Sequence, residues 1–182
     1  ELLESAQGWP AAVQLIIRGA AKGVGFKVGA TQISSSVDPL RLVVAEFVRS
    51  LPVDEKAILL PLSIVEETTP ELAQAILGKN YSQSALDAYA SEGTMLLKSN
   101  DETPIYKLHS LIREHLYQEV ISDESTCSKY HRLASLYFES ELDPTKALEH
   151  AFQSKDFVRF EKLFRAGARV YAITGRGNDL LR

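Results

Sequence analysis

A chain of 182 residues with 45% hydrophobic and 24% charged side chains has the balance of an ordinary globular protein, which excludes a disordered or fibrous polymer. Its formal charge of -4 and isoelectric point near 5.6 give no general attraction to nucleic-acid phosphates, so binding there would need a local basic patch, and none is evident. Cys127 is the single cysteine, so no intrachain disulfide can form; this usage fits a reducing, cytoplasmic compartment, and no apolar stretch is long enough to span a membrane.

After Pro10, Val13, Ile16, Ile17 and Ala20 recur at helical spacing, and the run dissolves at Gly23, Gly25 and Gly29. Residues 23–37 read as a linker. Asp38 and Pro39 then offer an N-cap followed by proline in the first helical turn, and Val43, Val44, Phe47, Val48 and Leu51 form a stripe of period near 3.6. A second helix is expected over 54–65, kinked or broken by Pro61 before its end. Thr69-Pro70 repeats the capping signal for a short helix that Gly78 should stop in a left-handed conformation, and another short helix is expected over 82–92.

The pattern then changes period. Residues 95–98 and 105–108 are brief β-prone runs around the polar turn 100–103, predicting a β-hairpin, and a helix follows from Ser110 with Ile112, Leu116 and Val120 in step. Residues 122–128 read as a polar loop. Beyond it Tyr130, Leu133, Ala134, Tyr137 and Phe138 mark one helix, Asp143-Pro144 caps a second, and a third begins near Phe157. The chain is therefore expected to be mainly α, with a winged-helix domain carrying one small β-hairpin. An N-terminal helical segment precedes it and a TPR-like α-hairpin stack follows.

Catalytic chemistry has no visible home. The glycines at 23, 25 and 29 follow a helix instead of a strand, Gly175-Arg176-Gly177 lacks the rest of a phosphate-loop fingerprint, and no G-x-x-x-x-G-K-[ST] occurs. His109, His115, His131 and His150 form no H-E-x-x-H, so no metal site is expected. The chain opens inside an apparent helix without methionine, which reads as a segment cut from a larger regulatory protein.

Three stretches in order carry a family resemblance. Leu2-Leu3 through Gly8-Trp9-Pro10-Ala11-Ala12-Val13-Gln14-Leu15 resembles a G-x-P motif; Val44-Ala45-Glu46 through Leu51-Pro52 to Leu60 resembles the opening of a winged-helix domain; and Tyr106-Lys107-Leu108-His109-Ser110-Leu111-Ile112 through Leu116 resembles that domain's histidine element. His131 to Phe138 and Ala147 to Ala151 are similar to first superhelical repeats. Together they resemble the signal-transducing ATPases with numerous domains, within them the LuxR-family bacterial transcriptional regulators similar to the activator of the maltose regulon.

The resemblance implies that residues 1–37 end the helical domain of a nucleotide-binding module, 38–122 form the winged helix and 123–182 begin the superhelix. It implies that Gly8, Pro10 and His109 contact bound ADP, the proline at adenine and the histidine at the β-phosphate. ADP or ATP would belong to the full-length protein, with no cofactor expected for the isolated segment. The implied partners are an upstream ATPase domain, downstream superhelical and DNA-binding domains of the same chain, and a small-molecule inducer or regulatory protein, with no membrane. Leu108 and Ser110 stand where related switches carry methionine and aspartate beside this histidine.

At His109 a strand end meets a helix start, where backbone amides and the helix dipole favour an anion; a plain helix-start role also accounts for it. Two other functions remain open. The winged helix could bind DNA itself, although the candidate recognition helix over 81–92 holds Asp87 and Glu92 and no lysine or arginine, which sets carboxylates against phosphates. Alternatively, the chain is a helical protein-interaction scaffold that never meets nucleotide.

Overall fold

The computed structural model describes residues 39–78, 83–91, 95–99 and 102–174. The helix expected after Pro10, the glycine-rich linker, the cap at Asp38 and the turn at Gly175-Arg176-Gly177 lie outside them. Among the described residues the order is α1 (Pro39–Ser50), α2 (Val53–Leu62), α3 (Pro70–Leu77), α4 (Gln83–Ser91), β1 (Leu96–Lys98), β2 (Tyr106–Leu108), α5 (Ser110–Ser122), α6 (Glu124–Ser140), α7 (Pro144–Gln153) and α8 (Phe157–Thr174). The fold is mainly helical with a small antiparallel hairpin, as a winged-helix domain flanked by helices requires. No described helix is long and apolar enough to cross a membrane.

In α1, Val44, Phe47 and Val48 are buried, with Leu51 just past its end, at the spacing that puts them on one face, and α1 lays that face on α5. The α2 helix does not reach Val65. It ends at Leu62, with Pro61 accommodated in the last turn. Proline offers no N–H to Ala57, and the Ser63 N–H closes the helix on the Leu59 and Leu60 carbonyls, 3.1 Å each. Freed from helix, Ile64 and Val65 turn into a second core.

Thr69 caps α3 as its sequence predicts, its Oγ1 accepting the Leu72 N–H at 3.2 Å, and lies 3.3 Å from the Tyr137 hydroxyl on α6. Thr69→Ala is expected to lower stability by about 1 kcal/mol, read as a shift in urea midpoint at unchanged slope. Gly78 ends α3 with φ 106° and ψ 168°. The positive φ favours glycine, but the backbone there is extended and not left-handed helical, so the expected stop is corrected in kind. The short helix expected over 82–92 is described over Gln83–Ser91.

In the hairpin Leu96 pairs with Leu108, Leu97 with Lys107 and Lys98 with Tyr106. The described strands are each a residue shorter than the apolar runs predicted. Thr68 adds a third antiparallel partner, exchanging two 2.8 Å backbone bonds with Tyr106. A single residue between two helices carries no strand pattern, so this bridge had no sequence signal.

The predicted loop at 122–128 is not a loop. Asp123 alone separates α5 from α6: its extended backbone breaks the helix, and its carboxylate accepts the Ser125 N–H at 3.1 Å and a bond from the Thr126 hydroxyl. Polar residues in a first helical turn imitate a loop in composition because they favour caps. Antiparallel packing of α6 and α7 follows from three contacts in which numbers fall along one helix as they rise along the other. The Ser135 hydroxyl donates to the Ala147 carbonyl, His131 meets His150, and the Ser128 hydroxyl donates to the Ser154 carbonyl. At the turn between them the Asp143 N–H bonds the Phe138 carbonyl at 2.9 Å and the Leu142 N–H the Glu139 carbonyl at 3.3 Å. Leu142 sits at φ 59°, which makes this a Schellman closure built without glycine.

Two cores result. One gathers α1, α2, α4, the hairpin and the first half of α5. The other joins Ile64, Val65, Leu72, Ile76 and Val120 to Ala134, Phe138, Ala147, Ala151 and Leu163. The second core therefore runs continuously from the 64–76 region and the end of α5 into the α6–α8 helices.

Candidate functional site

His109 stands between β2 and α5 as the residue that opens the helix. Its backbone is extended at φ -56° and ψ 132°, its N–H donates to the Met95 carbonyl at 3.1 Å, and its carbonyl accepts the Arg113 N–H at 2.9 Å. The Met95 bond ties the helix start to the residue before β1, so the hairpin fixes where the imidazole emerges. The ring forms no cap hydrogen bond with the first turn of α5, and that turn carries no acidic residue. It is half-buried, and burial holds its pKa below the ordinary histidine range. A neutral imidazole at a helix N-terminus can donate one hydrogen bond to an anion.

The neighbours of His109 have different duties. Leu108 is buried in the first core and Ser110 is exposed in the first turn of α5. Gly8 and Pro10 lie outside the described residues, so of the three sequence candidates only His109 has a described environment.

The candidate recognition helix, α4, is bound into the hairpin by its own acidic residue. The Tyr106 hydroxyl donates to Asp87 Oδ1 at 2.6 Å, and Lys98 Nζ lies 2.6 Å from the same oxygen. Lys98, then Tyr106, hold the Asp87 carboxyl below its usual range; burial, then Asp87, push the Tyr106 phenol far above its own. Asp87 is thus the clasp between α4 and both strands, and no lysine or arginine lies between Gln83 and Ser91.

Sequence reasoning missed a third feature. His131 and His150, 2% and 6% exposed, bring their Nδ1 atoms to 2.8 Å. His150 stacks on Phe138 with centroids 5.3 Å apart and 6° between planes, and Tyr117 meets His131 edge-on at 6.1 Å. One Nδ1 must carry the proton and the other accept it. Assigning the proton to His131 leaves its buried Nε2, which has no hydrogen-bond partner, as a lone pair, which costs less than an orphaned N–H. Burial, with His150 second for His131 and Lys146 second for His150, depresses both pKa values to about 4, so both rings are neutral at pH 7. The only available signal was that each histidine falls in step with an apolar helix face, Ala134 and Phe138 beyond His131 and Ala147 and Ala151 around His150. No group of three or more His, Cys, Asp or Glu side chains is placed to hold a metal among the described residues.

Residues 44–128 match the family described as the MalT winged helix domain. The match runs from within α1, across the hairpin and His109, into the start of α6. No curated protein matches the chain.

Proposed function

We propose that this chain is the regulatory switch and sensor segment of an ATP-dependent, MalT-like transcriptional regulator of the cytoplasm. In this reading the winged helix closes over ADP held by an upstream ATPase domain, His109 donating to the diphosphate together with contacts from Gly8 and Pro10. The helices from α6 onward begin a TPR-like superhelix that receives an inducer or regulatory protein, and a further domain of the same polypeptide binds DNA. The segment itself performs no catalysis; ADP or ATP would supply the charge that holds the resting state. The observation that carries the reading is the 44–128 match together with a neutral, half-buried His109 at a helix start inside it.

Energetically such a switch works only if each ligand contacts the two states differently. His109→Ala removes a contact made only in the closed state. In the full-length regulator it is expected to speed ADP release by about ten-fold or more, the worth of one hydrogen bond to a charged group, and to raise activity without inducer. ADP retention by filter binding and a reporter assay measure the two effects; both unchanged would sink the assignment. Direct reading of DNA by α4 is disfavoured because the helix offers no cation and its carboxylate is committed to Tyr106 and Lys98.

A further inference from the structure

A groove of about 480 Å³ opens between residues 64–67 and α5 on one side and α6 and α7 on the other. It straddles the second core, so anything held there touches both the winged-helix region and the helical hairpin. Its volume falls in the range of sites for small organic ligands, about 300–1,000 Å³.

Within the groove Glu67 is paired with Lys107 and Lys146 with Asp143, but other polar groups on its walls are under-used by the protein. Among the described residues Arg113, on α5, has only long internal partners: Nη1 is 3.5 Å from the Ser63 carbonyl and Nη2 is 3.9 Å from Glu66, itself 86% exposed. A guanidinium has five donors to place. Across the groove on α7, Glu149 and Gln153 line the wall and make no side-chain hydrogen bond or ion pair among the described residues. His131 also lines the groove, but its Nε2 is enclosed by the protein and closed to solvent. Phe138 and Tyr117 supply the apolar surface between these groups. Arg113 from α5 and Glu149 from α7 thus set opposite charges on facing walls of the one groove.

We propose that this groove binds a small zwitterion of the dipeptide type, its carboxylate on Arg113 and its ammonium between Glu149 and Gln153. A simple anion would meet the carboxylates of Glu149, Glu66 and Glu67, and a simple cation would meet Arg113 and Lys146; a molecule bearing both charges satisfies both walls. The apolar side chains of such a ligand lie against Phe138 and Tyr117. Binding at the seam would favour one arrangement of winged helix and hairpin over another, which makes the site the input of the proposed switch; that consequence rests on the switch reading, whereas binding itself does not.

Calorimetric titration of the full 182-residue chain with glycyl-leucine and leucyl-alanine tests the site, with butyrate, butylamine and sorbitol as arms carrying one charge or none. Saturable dipeptide binding is expected, weakened about ten-fold or more by Arg113→Gln and by Glu149→Gln, each of which removes one charge-assisted contact. Both side chains reach solvent, so folding of either variant is checked by an unchanged circular dichroism spectrum. No heat with either dipeptide up to about 10 mM, equal binding of sorbitol, or indifference to both substitutions would overturn the proposal. Dipeptide binding that survives His109→Ala, alongside lost ADP retention in the full-length protein, separates this site from the nucleotide contact.

Discussion

Tyr106→Ala is expected to destabilise the protein by about 3–5 kcal/mol, the range for deleting a fully buried aromatic side chain. Tyr106 is 0% exposed and heads the largest fully buried side chains. It occupies the crossing point of three elements: its backbone pairs with Thr68 and Lys98, and its hydroxyl closes on Asp87 of α4. Alanine leaves a cavity that neither the hairpin nor α4 can fill without giving up that register. Tyr106→Phe keeps the ring and loses only the hydroxyl bond, so its effect should stay well below that of alanine. Urea unfolding followed by circular dichroism measures both, and an alanine variant as stable as the phenylalanine one would contradict the packing described.

A second large effect is expected from acid. The unfolded chain protonates histidine near 6.5, whereas the folded chain holds His131 and His150 neutral down to about pH 4. Between those values the unfolded state binds more protons, so the stability from the pair is full above pH 6.5 and is lost as pH falls towards 4. A displacement of this size is worth about 3 kcal/mol for a ring. Because the two share one hydrogen bond, they titrate as a pair and not as independent rings. The expected result is a steep decline in unfolding free energy between pH 6.5 and 4, read from urea midpoints across pH. The double substitution His131→Leu with His150→Leu should flatten that decline, since it removes both polar partners together and leaves neither orphaned. An unchanged pH slope in the double variant would show that the pair does not govern acid unfolding.

Wherever one residue type decides a local question, the chain could be read directly. Thr69-Pro70 and Asp143-Pro144 announce helix starts because a short oxygen-bearing side chain can accept first-turn N–H groups that proline does not need, and both caps form. The stripe of α1 and the apolar runs of the hairpin were legible for a similar reason, since periods of 3.6 and 2 put alternate residues on one face before any partner is known. Failures came where local preference was outweighed or mimicked. Polar first-turn residues at 124–128 imitated a loop.

The class of the fold, the order of its elements and the position of His109 at the join of strand and helix thus follow from near-neighbour backbone chemistry and could be read from the chain alone. Packing, and not any local pattern, makes Thr68 complete the sheet, Asp87 clasp α4 to the hairpin, the histidines of α6 and α7 meet, and Arg113 and Glu149 face one groove. Each of those pairings joins residues at least 19 positions apart in the chain. Their geometry is set by how buried surfaces fit together, and no local pattern encodes that fit.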